Sequence, residues 1–206
     1  MKILGIIGGM SPESTATYYT EINRLVNQKK GGNISAPIVM VSVEFEEIVQ
    51  CQKQSEWQRA GEILAEAGKK LEMIGAEGIV LATNTMHQVA PQIERALSIP
   101  FLHILDATAD AIKSRGLNKV ALLGTKFTMS DNFYRDGLIV RGITPIVPNE
   151  SAQNEIHRII FDELCVGKFL PQSKAFYLDT IEFLRKQGAE GVILGCTEIG
   201  LLVNQS

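Results

Sequence analysis

The stretch that decides the fold is Gly75-Ala76-Glu77-Gly78-Ile79-Val80-Leu81-Ala82-Thr83-Asn84-Thr85. It returns 113 positions later as Gly188-Ala189-Glu190-Gly191-Val192-Ile193-Leu194-Gly195-Cys196-Thr197-Glu198. Both copies end a β-branched apolar run with a small polar or nucleophilic residue, and the constant offset aligns Thr83 with Cys196. The repetition predicts two related halves that present these two side chains to one shared cleft.

The repeat extends to the beginning of each half. Gly8 is followed ten residues later by Tyr18, and Gly124 is followed at the same spacing by Tyr134. The offset is 116 residues here instead of 113, which indicates a small insertion between the two repeated segments. Each half therefore begins with a strand, a glycine, a hydroxyl-rich turn and a helix.

Short apolar runs alternate with segments of helical composition. Because the apolar runs are continuous, both faces of the sheet should be buried, as is typical of parallel strands covered by helices. We therefore predict an α/β fold of two pseudosymmetric, doubly wound lobes with the active site at the lobe interface. The predicted strands are 3–7, 38–43, 78–81, 120–123, 143–147 and 191–194, and the clearest helices are 57–74 and 171–187.

The two lobes divide near Pro100. The first lobe comprises residues 1–100 and the second comprises residues 101–206. Residues 99–102 and a following helix, 106–115, are expected to form the bridge. Each lobe then carries one member of the aligned Thr/Cys pair.

Composition and cysteine usage narrow the class of protein. With 45% hydrophobic residues, a net charge of −3 and no run of like charges, the chain indicates neither nucleic acid nor a membrane as partner. The N-terminal apolar segment is broken by glycines, so it is interpreted as a strand and not as a signal peptide. Three cysteines without metal-site or disulfide spacing favour the cytoplasm and no metal. Cys51 and Cys165 are interpreted as buried apolar side chains.

Four polar turns should meet at the carboxyl ends of the parallel strands, where ligands collect. They are residues 8–11, 82–87, 124–128 and 195–198. Each precedes an expected helix, so free N–H groups and the positive helix end should favour an anion there. The same effect should lower the pKa of the Cys196 thiol towards neutrality.

Other readings of these turns are weaker or stay open. Residues 5–10 lack both G-x-G-x-x-G and a Walker lysine, which disfavours nucleotide binding. No lysine stands at a strand-end glycine turn in the arrangement of a pyridoxal phosphate site, so no cofactor is expected. His87 is open between an orienting residue, a structural residue and a general base.

The strand ends carry Gly8-Gly9-Met10-Ser11-Pro12-Glu13-Ser14-Thr15, Thr83-Asn84-Thr85-Met86-His87 and Gly195-Cys196-Thr197-Glu198-Ile199. This combination resembles the cofactor-independent aspartate/glutamate racemase family over essentially the whole chain. Further matches are Gly124-Thr125 with Thr128, and Glu163-Leu164 with Gly167-Lys168. The resemblance implies two α/β lobes whose cysteines, one per lobe, exchange protons with opposite faces of the substrate's α-carbon.

The chain departs from that pattern because Thr83 stands where the family usually has the first cysteine. A hydroxyl can donate or relay a proton, but it is a poor base. We therefore expect Cys196 to remove the α-proton, from the L form by resemblance, and Thr83 to protonate the opposite face.

The substrate-binding residues follow from the same resemblance. Lys168 is expected to bind the substrate's carboxylate, and Gln52 is expected in a loop after the second strand that relatives bring over the substrate. Acidic-substrate relatives often carry an arginine in that loop region, whereas this chain has none between Ser42 and Arg59, which leaves broader substrates open. The turns supply the remaining donors, from Met10, Ser11, Asn84, Thr85, Thr125 and Thr197.

The expected function is cofactor-independent racemisation of an amino acid, with aspartate or glutamate first. The alternatives are a broad-specificity racemase, a single-cysteine decarboxylase or hydantoin racemase of the same superfamily, and a non-catalytic amino-acid-binding protein. A small amino acid is the expected partner, and a homodimer is implied by resemblance. Relatives continue further past the second-lobe cysteine, so the tail ending at Ser206 is expected to be truncated.

Overall fold

The computed structural model describes residues 1–203 and divides into two compact units. The first unit runs from Met1 to Ile104, and the second begins at Leu105. The lobe division at residue 100 stays a prediction of the sequence. Residues 204–206, and with them the expected truncation of the tail, lie outside the described residues.

The first unit is built on four parallel strands. The strands are β1 (Leu4–Gly8), β2 (Ile38–Ser42), β3 (Gly78–Leu81) and β4 (Phe101–Leu102). Their order across the sheet is β2-β1-β3-β4. The helices are α1 (Pro12–Lys30), α2 (Phe45–Lys53), α3 (Trp57–Met73), a 3₁₀ helix (Thr85–Val89) and α4 (Ala90–Ala96).

The second unit is built on three parallel strands. The strands are β5 (Lys119–Leu123), β6 (Thr144–Ile146) and β7 (Gly191–Leu194), and their order is β6-β5-β7. This order repeats the β2-β1-β3 order of the first unit. The helices are α5 (Ile104–Lys113), α6 (Lys126–Ser130), α7 (Asn132–Val140), α8 (Glu150–Asp162), a 3₁₀ helix (Leu164–Val166), α9 (Pro171–Lys186) and α10 (Ile199–Leu202).

The sequence repeat has the same local geometry in both units. Gly75 and Gly188 each follow a helix with φ of +96°, a conformation that glycine adopts without a Cβ penalty. The carboxylates of Glu77 and Glu190 each accept a hydrogen bond from a backbone N–H at the beginning of their unit's first strand, at 3.1 and 3.0 Å. The repeat therefore sets the helix end and the strand start in the same way twice.

Each unit has its own hydrophobic core. In the first, Leu64 on α3 packs with Ile7 and Ile79 of the sheet. In the second, Ile156 on α8 packs with Leu123 of the sheet. All five side chains are fully buried. Within residues 1–203, no helix combines the length and the apolar composition needed to cross a membrane.

The predicted fold class is confirmed, and the six predicted strands are present within a few residues of their expected ends. β4 was missed, because the bridge segment contributes two residues that pair with β3. α5 begins at Ile104 and ends at Lys113, two residues before the expected bounds at each end. Burial on both faces holds for the interiors of β1 and β5, whereas β2, β6 and β7 contain no fully buried residue.

Gly8 provides a test of how tightly the end of β1 packs against α1. A Cβ on Gly8 would lie 2.4 Å from the Cγ2 atom of Thr15, so Gly8→Ala forces the helix and strand apart. We expect it to lower the free energy of unfolding by about 1–3 kcal/mol, measured as the urea midpoint. Gly200→Ala in α10 is the control, because no atom lies within 4 Å of the added Cβ. Equal midpoints for the two variants would contradict this packing.

Candidate active site

In the first unit, two of the predicted polar turns lie side by side at the carboxyl ends of β1 and β3. The N–H of Ala82 donates to the carbonyl oxygen of Ile7 at 2.9 Å. The hydroxyl of Ser14 in α1 donates to the carbonyl oxygen of Ala82 at 3.2 Å, in a buried position. These bonds tie the start of α1 to the turn that carries Thr83.

Thr83 lies in a tight, half-buried turn. Its N–H donates to the carbonyl oxygen of Leu81 at 2.9 Å, and its own carbonyl oxygen is 2.7 Å from Nδ1 of His87. Asn84 and Thr85 follow, both half-buried. The structure thus brings three of the predicted site residues onto one short segment whose peptide groups are fixed by hydrogen bonds.

His87 is buried, and the backbone occupies both of its ring nitrogens. Its Nε2 lies 3.2 Å from the N–H of Ile104, which donates to it, while Nδ1 faces the Thr83 carbonyl. The ring packs against Phe101 and His103. Burial, followed by the charge of His103, lowers the pKa of His87 to about 3. His87 is therefore neutral with its proton on Nδ1, and it has no free nitrogen with which to act as a general base.

The turn after β1 is ordered by hydroxyl groups. Ser11 caps α1, since its Oγ accepts from the N–H of Ser14 at 3.2 Å. The Oγ1 of Thr15 accepts from the N–H of Gly9 at 2.8 Å. The side chain of Met10 is buried in the core, so any contact of Met10 with a substrate is left to its backbone.

Gln52 lies near the end of helix α2 and not in a loop as expected, because residues 45–53 continue as a helix after β2. Its side chain lies beside the segment that follows Thr83. Its Nε2 is 3.0 Å from the Sδ of the buried Met86. The neighbouring Cys51 is buried, as predicted. The next arginine, Arg59, is exposed and pairs with Glu47 at 3.0 Å. Arg59 is thus engaged at the surface, whereas Gln52 is held against the Thr83 segment.

The second unit brings its two polar turns together in the same way. The N–H of Gly195 donates to the carbonyl oxygen of Leu123 at 2.6 Å, and a Cβ on Gly195 would lie 2.9 Å from that oxygen. A glycine is needed for this close approach. Thr125 caps α6, because its Oγ1 accepts from the N–H of Thr128 at 3.3 Å. Thr125 therefore lies at the strand end next to the Cys196 turn.

Cys196 is half-buried, and its thiol donates to a carboxylate. Its Sγ is 2.8 Å from Oε2 of Glu198, and the hydroxyl of Thr197 donates to the same oxygen at 2.9 Å. Burial, and then the negative charge and hydrogen bond of Glu198, raise the pKa of the Cys196 thiol. The predicted lowering is wrong. α10 is only four residues long, and the carboxylate opposes whatever field its end provides.

Glu198 is a candidate functional residue that sequence reasoning missed. It is buried, and it holds the thiol hydrogen. A carboxylate in that position is a base that can receive the proton when Cys196 becomes a thiolate. The signal was present, because Glu198 occupies the position that aligns with Thr85 in the repeat and stands two residues after the thiol.

Lys168 extends from a loop that a buried carboxylate anchors. Glu163 accepts hydrogen bonds from Arg158 at 2.9 Å and from the hydroxyl of Ser173. The carbonyl oxygen of Glu163 accepts from the N–H of Lys168 at 2.8 Å. The Lys168 side chain is exposed, and Gly167 before it is left-handed, with φ of +72°. The buried Glu163 therefore fixes the backbone of this loop, while the Lys168 side chain is exposed to solvent.

The 3₁₀ helix before this loop and Cys196 share one core: Leu164 is buried in the core of the second unit, and Cys196 packs against that core. Cys165 was predicted to be buried but is exposed, because the 3₁₀ helix turns Leu164 inward instead. Tyr177 is buried beneath, and burial raises its pKa, as do the charges of Cys196 and Glu163. Leu164, Tyr177 and Cys196 therefore belong to one packed region of the second unit, and Lys168 follows Leu164 by four residues.

The parallel sheets and the polar turns at their strand ends are typical of α/β enzymes that act on a small molecule there. In this chain one of those turns carries a cysteine thiol beside a carboxylate. Among residues 1–203, no three His, Cys, Asp or Glu side chains are grouped as a metal site requires. The sequence profile of the Asp/Glu/hydantoin racemase family matches residues 7–206, and the chain belongs to that family. It is accordingly an enzyme of the isomerase class.

Individual relatives agree with this assignment. The crystal structure of a candidate Asp/Glu racemase from Yersinia pestis superimposes with a TM-score of 0.94 at 49% identity, covering 99% of this chain and 89% of the other. The crystal structure of an aspartate racemase homologue from Pyrococcus horikoshii superimposes with a TM-score of 0.87 at 40% identity, covering 100% of this chain and 89% of the other. The broad specificity amino-acid racemase RacX of Bacillus subtilis is 23% identical over 98% of this chain and 88% of its own length.

Replacing the carboxylate beside Cys196 should separate thiol reactivity from catalysis. In Glu198→Gln the negative charge that raises the pKa of Cys196 is gone, so more thiolate is present at a given pH and alkylation by iodoacetamide becomes faster. Racemase turnover should nevertheless fall by about 10²–10⁴-fold, because the proton acceptor is lost. Both rates are measured in a Cys165→Ser background, with the surface variant Glu182→Gln as control. Slower alkylation of Glu198→Gln than of wild type would contradict the conclusion that Glu198 raises the pKa of Cys196.

The buried, neutral His87 should be visible in acid stability. The unfolded chain takes up a proton on this histidine below a pH of about 6.5, whereas the folded chain does so only near its pKa of about 3. The stability that neutral His87 contributes is therefore lost as the pH falls through that window, by up to about 1.4 kcal/mol per pH unit. Urea unfolding at pH 7, 6, 5 and 4 should show the advantage of wild type over His87→Gln shrinking with acid. A constant advantage would argue against a neutral buried ring.

Proposed function

We propose that this enzyme racemises an acidic amino acid, aspartate or glutamate, by proton transfer at the α-carbon without a cofactor. Cys196 is the base, and Thr83 is the proton donor on the opposite face. The observation that carries the proposal is the 2.8 Å hydrogen bond from the Cys196 thiol to Glu198, at the end of a parallel strand. Glu198 can accept the thiol proton within the site. A thiol with a raised pKa needs such an acceptor to become a thiolate.

The proposed reaction begins with proton transfer within the second unit. Cys196 gives its thiol proton to the Glu198 carboxylate and becomes a thiolate. The thiolate then takes the α-proton of the L enantiomer: the Cα–H bond breaks, an S–H bond forms, and the electron pair stays on the substrate as a carbanion. Binding of a substrate ammonium group nearby would favour the thiolate, which burial alone disfavours.

The second half of the reaction delivers a proton to the other face of the carbanion. The Thr83 hydroxyl donates its proton to Cα, and the D enantiomer forms. The hydroxyl regains a proton from water, and Glu198 releases its own to water, so one proton enters and one leaves. Because an alcohol is a weak base, the same hydroxyl is poorly suited to removing the α-proton of the D enantiomer.

The carbanion needs its carboxylate polarised, and the turns supply the donors. In this proposal Lys168 pairs with a substrate carboxylate. Its loop is anchored by the buried Glu163 and follows the 3₁₀ helix whose Leu164 lies in the core against which Cys196 packs, which supports that role. Gln52 serves as an amide donor beside the Thr83 segment. Further contacts come from the backbone at Met10 and from Ser11, Asn84, Thr85, Thr125 and Thr197.

A broader substrate range is the second candidate function. It is favoured by the lack of an arginine between Ser42 and Arg59, the region where acidic-substrate relatives often carry one, and by the similarity to a broad-specificity racemase. An assay of L-amino acids without added cofactor, read by chiral chromatography, separates the two. A strong preference for aspartate and glutamate supports the first candidate. Comparable rates for neutral amino acids support the second.

The decarboxylase, hydantoin racemase and binding-protein alternatives are tested with other substrates and by binding measurements. Carbon dioxide release from an arylmalonate, or racemisation confined to hydantoins, would replace the amino-acid proposal. A binding protein would retain its affinity for an amino acid in Cys196→Ser and turn over none in wild type. The homodimer also stays a prediction, to be tested by light scattering of the purified chain.

Deuterium exchange in heavy water tests the assignment of the two faces. We expect wild type to place deuterium at Cα of L-aspartate much faster than at Cα of D-aspartate, because the thiolate is the stronger base. Thr83→Ala should keep exchange into L-aspartate while forming the D enantiomer at least about 100-fold more slowly. Proton NMR of the Cα signal, with chiral chromatography on the same samples, follows both processes.

Two controls accompany this measurement. Thr83→Ser retains the hydroxyl and should retain inversion, and Cys196→Ser should lose both exchange and inversion. Equal exchange from the two enantiomers in wild type would contradict the assignment of base and donor.

A further inference from the structure

We propose that His87 is a positioning residue for the proton-donating face: its neutral imidazole clamps the backbone of Thr83 to the amide of Ile104 and thereby holds the Thr83 hydroxyl in register. This inference rests on the proposed role of Thr83. It concerns the first unit alone and asks nothing further of Cys196.

The clamp consists of two backbone hydrogen bonds made by one rigid ring. Nδ1–H donates to the carbonyl oxygen of Thr83 at 2.7 Å, and Nε2 accepts from the N–H of Ile104 at 3.2 Å. Ile104 is the last residue of the first unit and the first residue of α5. The ring thus connects the turn after β3 to a segment that directly follows β4, the next strand in the sheet.

The surroundings leave the ring a single arrangement. It is almost fully buried and packs against Phe101 and His103, with ring centroids 5.7 and 4.8 Å away. A carbonyl on one side needs a donor, and an N–H on the other needs an acceptor, so only the neutral tautomer with the proton on Nδ1 satisfies both. The low pKa of His87 agrees with this.

Thr83 has particular need of such support. Hydrogen bonds that hold the peptide groups of Thr83 include the bond from its N–H to the carbonyl oxygen of Leu81 and the bond from His87 to its carbonyl oxygen. An alcohol is a weak acid, so its proton transfer depends on alignment with the carbanion, and a displacement of about 1 Å can cost about 100-fold in rate. A clamp on the carbonyl of the same residue limits that displacement.

Two substitutions of His87 each retain one of the two hydrogen bonds of the ring and remove the other. His87→Asn keeps an amide donor near the position of Nδ1, within reach of the Thr83 carbonyl, and loses the Ile104 contact. His87→Gln keeps an amide group near the position of Nε2, within reach of Ile104, and leaves the Thr83 carbonyl without its donor. Leu64→Ala removes buried side-chain volume from the core of the same unit and touches neither contact, so it controls for general destabilisation.

The experiment measures the ratio of inversion to deuterium exchange with L-aspartate in heavy water. We expect His87→Gln to retain exchange while the ratio falls at least about 10-fold, in the direction of Thr83→Ala. His87→Asn should stay near the wild-type ratio, and Leu64→Ala should lower both rates together. Equal loss of both rates in His87→Gln, or the same ratio in the two His87 variants, would overturn the inference.

Failure of the proposed function is distinguishable from failure of the clamp. If Thr83→Ala itself loses exchange and inversion in proportion, both the donor role and the clamp are overturned. If Thr83→Ala separates the two rates and His87→Gln does not, the clamp alone is overturned. Nitrogen NMR of His87 in the wild-type enzyme tests the clamp without any variant. A proton on Nδ1 and a bare Nε2 are expected at neutral pH, and the opposite tautomer would overturn it.

Discussion

The hydrogen bond between the Cys196 thiol and the Glu198 carboxylate is the interaction on which the proposed chemistry depends. Burial and the adjacent negative charge both keep the proton on sulfur, so the thiol at rest is a poor nucleophile. The same carboxylate offers the proton a place to go over 2.8 Å. The site therefore holds a protected thiol with an internal acceptor, and not a permanently exposed thiolate. Such a thiol is less open to alkylation and oxidation between turnovers.

The two units use one backbone device to present different side chains. In each, a strand pair ends with a hydrogen bond from the residue before the reactive position, Ala82 to Ile7 and Gly195 to Leu123. Both units share this backbone hydrogen bond, but the side chains next to it differ in their chemistry. Thr83 is supported through its carbonyl by a neutral histidine, whereas the thiol in the second unit meets a carboxylate. The proposed proton-transfer groups thus differ chemically, although each lies at an equivalent strand end of its own unit.

Much of this arrangement could be predicted, because it is local in sequence. The apolar runs identified six strands, and the GAEG repeat marked equivalent turns. β4 was missed because two residues after Pro100 carry too little pattern to indicate a strand. Cys165 was misplaced because a one-turn 3₁₀ helix decides which neighbour is buried, and Leu164 is the one that turns inward.

The electrostatics of the site was beyond the sequence for a different reason. A helix start predicts a lowered thiol pKa only if the helix is long and no charge intervenes. Here α10 has four residues, and the Glu198 side chain folds back onto the sulfur, which depends on side-chain rotamers that no spacing rule reveals. The two hydrogen bonds of His87 could not be predicted from the sequence either, because one of them reaches a residue 17 positions away.

The most direct measurement of the central claim is the rate at which the purified chain, without added cofactor, converts L-aspartate into D-aspartate in wild type, Cys196→Ser and Cys196→Ala. The account predicts conversion by wild type that reaches equal amounts of the two enantiomers, and none by either variant. Conversion by Cys196→Ala at a rate near that of wild type would contradict the account, because the α-proton would then leave through a group other than this thiol.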